Sequence, residues 1–184
     1  MSKPARQKNS ALDVLAPNLS IVFCGINPGM AAAASGHNFT GHSNRFWRVL
    51  HLAGFTPERI EPADDATLLN YGYGLTTAVD RPTRSASELT RAELTEAVDA
   101  LERKIERYTP RVVAFLGKAA YAAVVRRREV AWGAQKEKFG RARVWIVPNP
   151  SGLNRSYSLA DLVAAYRDLR IATARGSRQT ATRS

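Results

Sequence analysis

The chain is 184 residues long and 45% hydrophobic, with a single cysteine and a formal net charge of +11. One sizeable globular core fits that length; the lone cysteine excludes an internal disulfide and any multi-cysteine zinc or iron–sulfur site, and no apolar run reaches the roughly 18 residues of a membrane span. Residues 1–10 are polar and basic with no apolar stretch behind them, which argues against a secretory signal and leaves a soluble, cytoplasmic protein as the expectation.

Positive charge suits a polyanionic partner. Six of the 27 basic residues, however, lie in two tails (Lys3, Arg6 and Lys8; Arg175, Arg178 and Arg183), and about +5 remains over residues 11–172 without them. Charge alone therefore leaves nucleic-acid binding and mere base composition as equal readings.

Taken in order, Ile21-Val22-Phe23-Cys24 is an unbroken run of β-branched and aromatic residues, the pattern of a buried parallel strand. Gly25-Ile26-Asn27-Pro28-Gly29 then reads as the loop at its carboxyl end. Residues 30–42 are rich in small side chains and read as loop. A helix opens near Ser43, with Phe46, Val49, Leu50 and Ala53 on one face and Gly54 as its stop. A short helix is expected around 63–70, a brief strand at 75–79, and a break at Asp80-Arg81-Pro82-Thr83. Thr90 and Glu93 form a capping-box pattern ahead of the stripe Leu94, Val98, Leu101, Ile105 and Tyr108, which must stop before Pro110. Residues 111–116 read as a third strand, turned at Gly117 into an alanine-rich helix to about Arg128. A fourth strand covers 144–147. After Pro148-Asn149-Pro150-Ser151-Gly152-Leu153-Asn154-Arg155, Ser158 and Asp161 can cap a last helix carrying Leu159, Leu162, Val163 and Tyr166.

Strands separated mostly by helices imply one three-layer α/β domain: a central, mostly parallel four-stranded sheet with helices on both faces. The domain is expected over 11–172, between basic flexible tails at 1–10 and 173–184. The loops after the first and fourth strands then share the carboxyl edge of the sheet, where such sheets bind ligands. Neither loop has dinucleotide-binding glycine spacing, and Gly117-Lys118 lacks the first glycine of a P-loop. His37, His42 and His51 have no metal-ligand spacing, so neither metal nor cofactor is expected. What remains is a site centred on two asparagines, Asn27 and Asn149. An amide cannot act as a base; it can orient a water or a carbonyl, so the chemistry must rest on a departing group whose negative charge donors stabilise. The plainer alternative for Asn27 is a turn asparagine bonding its own backbone. Trp47, Trp132 and Trp145 read as packing residues.

Residues 25–29, Gly41-His42-Ser43-Asn44-Arg45-Phe46-Trp47, Asp80-Arg81-Pro82-Thr83, Leu116-Gly117-Lys118 and 149–155, in that order, resemble the mismatch-specific uracil-DNA glycosylase (Mug) and thymine-DNA glycosylase family of the uracil-DNA glycosylase superfamily. The resemblance spans residues 20–171. It implies a cofactor-free, monofunctional hydrolase that flips uracil, or thymine or a modified pyrimidine, mispaired with guanine, out of double-stranded DNA and cuts its N-glycosidic bond in base excision repair. By the same resemblance Asn27 positions the attacking water, Ile26 lines the pocket, Phe39 stacks on the base, and Asn149 sits at the pocket where faster uracil glycosylases carry a histidine. Gly152, Leu153 and Asn154 form a wedge that enters the duplex with Arg155 supporting it, and Gly117, Lys118 and Ser151 are candidate phosphate contacts. Ala32 stands where the bacterial type has serine, leaving room for thymine's methyl, and Thr77 where a longer lysine or asparagine is common. A monomer on DNA is implied, with no membrane partner and with abasic-site repair enzymes downstream. Two alternatives stay open: a broad-range uracil glycosylase that also accepts single strands, and a catalytically silent damaged-DNA binding module.

Overall fold

Strand β1 (Ile21–Gly25) carries the two-residue alternation that builds the layers: Ile21 and Phe23 point into one apolar cluster, Val22 and Cys24 into the other. The computed structural model describes residues 12–125 and 129–181. In it β1 lies between β2 (Tyr73–Thr77) and β3 (Val112–Leu116), both parallel to it, and β3 pairs in parallel with β5 (Ala142–Val147). The order across the sheet is β2-β1-β3-β5-β4. One face is covered by α2 (Phe46–Leu52) and α5 (Leu159–Ala181), through Phe46, Leu50, Leu162 and Tyr166; the other by α3 (Arg91–Tyr108) and α4 (Lys118–Val125), through Leu101, Ile105, Ala120 and Val124. The three-layer α/β architecture is as the sequence implies.

The fifth strand, β4 (Gly133–Phe139), is the addition to the four read from sequence. Its run Gly-Ala-Gln-Lys-Glu-Lys-Phe is polar because it is an edge strand with exposed side chains, so no apolar run marks it. It pairs antiparallel with β5 through a two-residue turn, Gly140-Arg141, both at positive φ (51° and 71°), the geometry that matches strand twist in a hairpin. Two further differences concern helices. The small residues after Pro28 form α1 (Met30–Ser35), stopped by Gly36 in the left-handed conformation. Helix α5 continues to Ala181 with Thr173 buried, so the segment read as the C-terminal tail is helical as far as that residue. The N-terminal tail at 1–10 and the end of the α4 reading, 126–128, lie outside the described residues.

The segment before β1 is tied to β2 by a backbone bridge from Val14 to Leu75 and by a buried polar cluster. Thr76 Oγ1 donates to Asp13 Oδ1 (2.7 Å) and accepts from Lys104 Nζ (3.2 Å), while Lys104 Nζ lies 2.9 Å from Asp13 Oδ2 as an ion pair off the hydrogen-bond direction. Cys24, fully buried beside this cluster, has its thiol pushed up to about 12 by desolvation, the Lys104 charge offsetting part of the effect. It is a packing residue, inert as a nucleophile.

Candidate active site

The carboxyl edge has a crevice of about 560 Å³ where the chain leaves β1 toward one side of the sheet and β3 toward the other, the switch point at which open α/β sheets bind ligands. Its walls are the loop after β1, helix α1, the end of β2 and the loop after β5. The two asparagine loops do meet there.

Asn27 is held from one end only. Its Nδ2 donates to Arg81 O (2.9 Å) and to Thr83 Oγ1 (2.7 Å). The Thr83 hydroxyl spends its own proton on Ser85 O (2.8 Å), so toward Asn27 it can only accept. Two acceptors therefore fix the nitrogen end of the amide, and the oxygen end, which takes no hydrogen bond from the described residues, faces the crevice. The 80–83 segment is anchored in turn. Thr83 N donates to Pro28 O (3.1 Å), and the Arg81 guanidinium bonds the Glu93 carboxylate and Glu88 O (3.0 Å). The Arg81 hydrogen bond, with those from Thr90 of the α3 capping box, holds the Glu93 carboxyl at about 2.

Asn149 is held the opposite way round. Its Oδ1 accepts from Ser151 N (2.9 Å), which leaves Nδ2 without a partner among the described residues. One crevice thus presents an amide acceptor from the first loop and an amide donor from the second.

The same crevice has an aromatic wall. Phe39 stacks on Phe46 (centroids 4.0 Å apart, 25° between planes) and lines the crevice, one ring serving both core and pocket. Its φ of +57° is strained for a bulky residue, a condition that persists only where the surroundings enforce it. Those surroundings are Asn38 and Asp65. Asn38 N and Nδ2 both donate to the buried Asp65 Oδ2 (2.9 and 3.0 Å), Nδ2 also reaches Leu12 O (2.8 Å), and Trp47 Nε1 donates to Asn38 O (3.1 Å). Ile26, Ala32 and Thr77 line the crevice. The Thr77 hydroxyl is buried without a hydrogen-bond partner among the described residues, and its methyl lies on the side of Gly25.

At the rim, Leu153 is 80% exposed, by a wide margin the most exposed large apolar side chain among the described residues. Its turn is built by Ser151, whose Oγ accepts from Leu153 N (3.3 Å) and whose carbonyl accepts from Asn154 N (3.0 Å); Asn154 Nδ2 closes back on Asn149 O (2.9 Å). Arg155 is exposed, with no hydrogen bond or ion pair among the described residues. The arginine that reaches the turn is Arg45, which donates to four of its carbonyls. Gly117, at φ +106°, puts the start of α4 beside Asn149, where a Cβ at Gly117 would lie 3.4 Å from the Asn149 Cβ. The ammonium of Lys118 rests 4.8 Å over the Trp132 ring, which is itself 41% exposed and edge-on to Tyr157.

Sequence reasoning missed Thr83, Asn38, Asp65 and the role of Arg45. Thr83 and Arg45 stand inside motifs that were visible, but spacing cannot reveal which group a side chain will meet 56 or 105 residues away.

A solution NMR structure from Methanosarcina acetivorans, provisionally named a uracil DNA glycosylase, matches with a TM-score of 0.58 at 19% identity, over 86% of this chain and 95% of that one, a likeness of fold. The family model of the uracil DNA glycosylase superfamily matches residues 12–170, which takes in both asparagine loops, the aromatic wall and the exposed turn. On that match, and with the sheet, crevice and loops in the order described, the chain belongs to the uracil DNA glycosylase superfamily.

Proposed function

We propose that the protein is a monofunctional DNA glycosylase of the mismatch-specific type, hydrolysing the N-glycosidic bond of uracil, and of thymine more slowly, opposite guanine in double-stranded DNA. The observation that carries this is the opposed pair of amides in one crevice: Asn27 offers Oδ1 and Asn149 offers Nδ2. Hydrolysis needs both polarities. A water held by an acceptor attacks C1′ of the sugar as the bond from C1′ to N1 breaks, and the electron pair leaves with the base, whose negative charge a donor stabilises; the water's surplus proton passes to solvent, from which the released base takes one up. Neither amide removes a proton, so the roughly 10²- to 10⁴-fold help of a general base is missing, and turnover is slow.

The remaining parts suit a flipped pyrimidine. Phe39 gives it a stacking surface. Ala32 and Thr77 line the crevice, and on this reading the small side chain of Ala32 is what admits a 5-methyl group. Extraction from the stack costs a few kcal/mol and less at a mispair, and an apolar wedge such as Leu153 offsets part of it. No lysine among the described residues lines the crevice, which favours simple hydrolysis over a Schiff-base lyase. The glycosylase domain on this reading is residues 11–172.

The test is single-turnover base release from oligonucleotides carrying uracil or thymine opposite guanine, uracil opposite adenine, and single-stranded uracil, for wild type and Asn27→Ala. Release from uracil opposite guanine that falls about 10²-fold or more in Asn27→Ala is expected. Equal rates on every uracil substrate would replace mismatch specificity with broad uracil removal. Tight mismatch binding with no release from any substrate would leave a silent binding module.

A further inference from the structure

The turn that carries Leu153 has no ladder to hold it. Residues 150–157 lie between the end of β5 and the start of α5, and four of their carbonyls, those of Pro150, Ser151, Asn154 and Tyr157, converge on one side chain, the guanidinium of Arg45. Nη1 donates to Tyr157 O (2.7 Å), Nη2 to Asn154 O (2.8 Å) and Ser151 O (3.1 Å), and Nε to Pro150 O (3.4 Å). The backbone N–H of Arg45 adds a bond to Pro150 O (3.0 Å). No carboxylate among the described residues pairs with this arginine, and four of its five side-chain N–H donors go to the turn. Two residues earlier the same segment meets the turn at Gly152, where a Cβ would lie 2.2–2.7 Å from Ser43 Oγ, Cβ and O. Only glycine lets the two backbones approach so closely.

We propose that Arg45 is the positioning residue of the wedge: its planar fork of donors takes the place of a strand partner and fixes the turn in its inserting shape before DNA arrives. This rests on the glycosylase reading only for the identity of what the turn enters. The chemistry is specific to a guanidinium. Five N–H groups in one plane can serve four carbonyls at once, whereas a lysine ammonium offers three donors from a single point. A loop ordered in advance does not lose its freedom again on binding, so more of the contact energy goes into opening the stack.

The decisive comparison is Arg45→Met, Arg45→Lys and Leu153→Ala, with Arg45→Met combined with Leu153→Ala as a cycle. Single-turnover release from uracil opposite guanine is one readout, and thermal unfolding of each variant is recorded beside it. The second readout needs no hydrolysis: the fluorescence change of 2-aminopurine placed next to an abasic-site analogue in a duplex, which reports insertion of the wedge. Arg45→Met is expected to slow release by about 10²-fold and to reduce the insertion signal. Arg45→Lys is expected to fail to restore either, although it keeps the charge. In the Arg45→Met background the further loss from Leu153→Ala is expected to shrink to within about twofold, because the wedge is already misplaced. Full rescue by lysine would assign Arg45 to attraction of phosphate and overturn the proposal. So would penalties that multiply independently, or a normal insertion signal in a folded Arg45→Met. Should Arg45→Met fail to fold, the folded lysine variant decides by the same two readouts. Insertion without base release in the wild type would sink the glycosylase reading alone and leave this inference to the fluorescence arm.

Discussion

The two ends of an asparagine amide are nearly the same size, so its neighbours decide whether it presents oxygen or nitrogen. At Asn27 the choice is made by Arg81 O and by a threonine hydroxyl already committed as a donor to Ser85 O. Thr83→Val keeps the side-chain shape and removes one of the two acceptors, so the amide loses its preference for pointing Oδ1 into the crevice. Single-turnover release from uracil opposite guanine is expected to fall about tenfold, with duplex affinity unchanged. A rate equal to wild type would show that Arg81 O alone fixes the amide. The two asparagines were legible in the sequence, because each stands between a strand end and a proline. Their opposite orientations were not, since these depend on Thr83 in one case and Ser151 N in the other.

Helix α3 reaches the site although none of its residues lines the crevice. Its capping box at Thr90 and Glu93, evident from sequence, also receives Arg81, whose carbonyl holds Asn27. The Glu93 carboxyl is lowered from 4.5 to about 2, first by the Arg81 hydrogen bond and then by Thr90. A depressed carboxyl stabilises the fold fully above its unfolded value, and that contribution disappears as the pH falls through its folded value, here between about 4.5 and about 2. Urea unfolding of wild type and Glu93→Gln across that window is expected to show a steeper loss of stability in wild type; parallel curves would refute the assignment. The opposite case among the elements is β4, whose sequence carries no strand signal. Only its pairing with β5 and the positive-φ turn at Gly140-Arg141 make it a strand.

For the whole molecule, on the glycosylase reading the basic charge, +11 overall and about +5 over residues 11–172, is expected to give DNA affinity that weakens with salt. Lys118 follows Gly117, which abuts Asn149 at the carboxyl edge, and its ammonium lies over Trp132. Lys118→Ala is expected to weaken binding to matched and mismatched duplexes alike and to reduce the slope of log affinity against log salt by about 1. An unchanged slope would leave the ammonium with Trp132 and not with a phosphate. Trp132, read from sequence as packing, is a partly exposed platform instead.

The sequence by itself determined the α/β layering, the caps and the two asparagine loops, because each is written in local periodicity or in residues whose backbone preferences are strong. The tertiary structure alone decided what holds these parts in register. Arg45 lies 105 residues before the carbonyl of Pro150 that it bonds, Thr83 lies 56 residues after the amide it orients, and Asp65 fixes Asn38 across 27. Polar contacts over such separations depend on where the sheet order brings the loops, and no periodicity in the chain encodes that. The same reason accounts for the arginine that reaches the turn: the turn's carbonyls close inward onto Arg45, while Arg155, beside the wedge in sequence, is exposed.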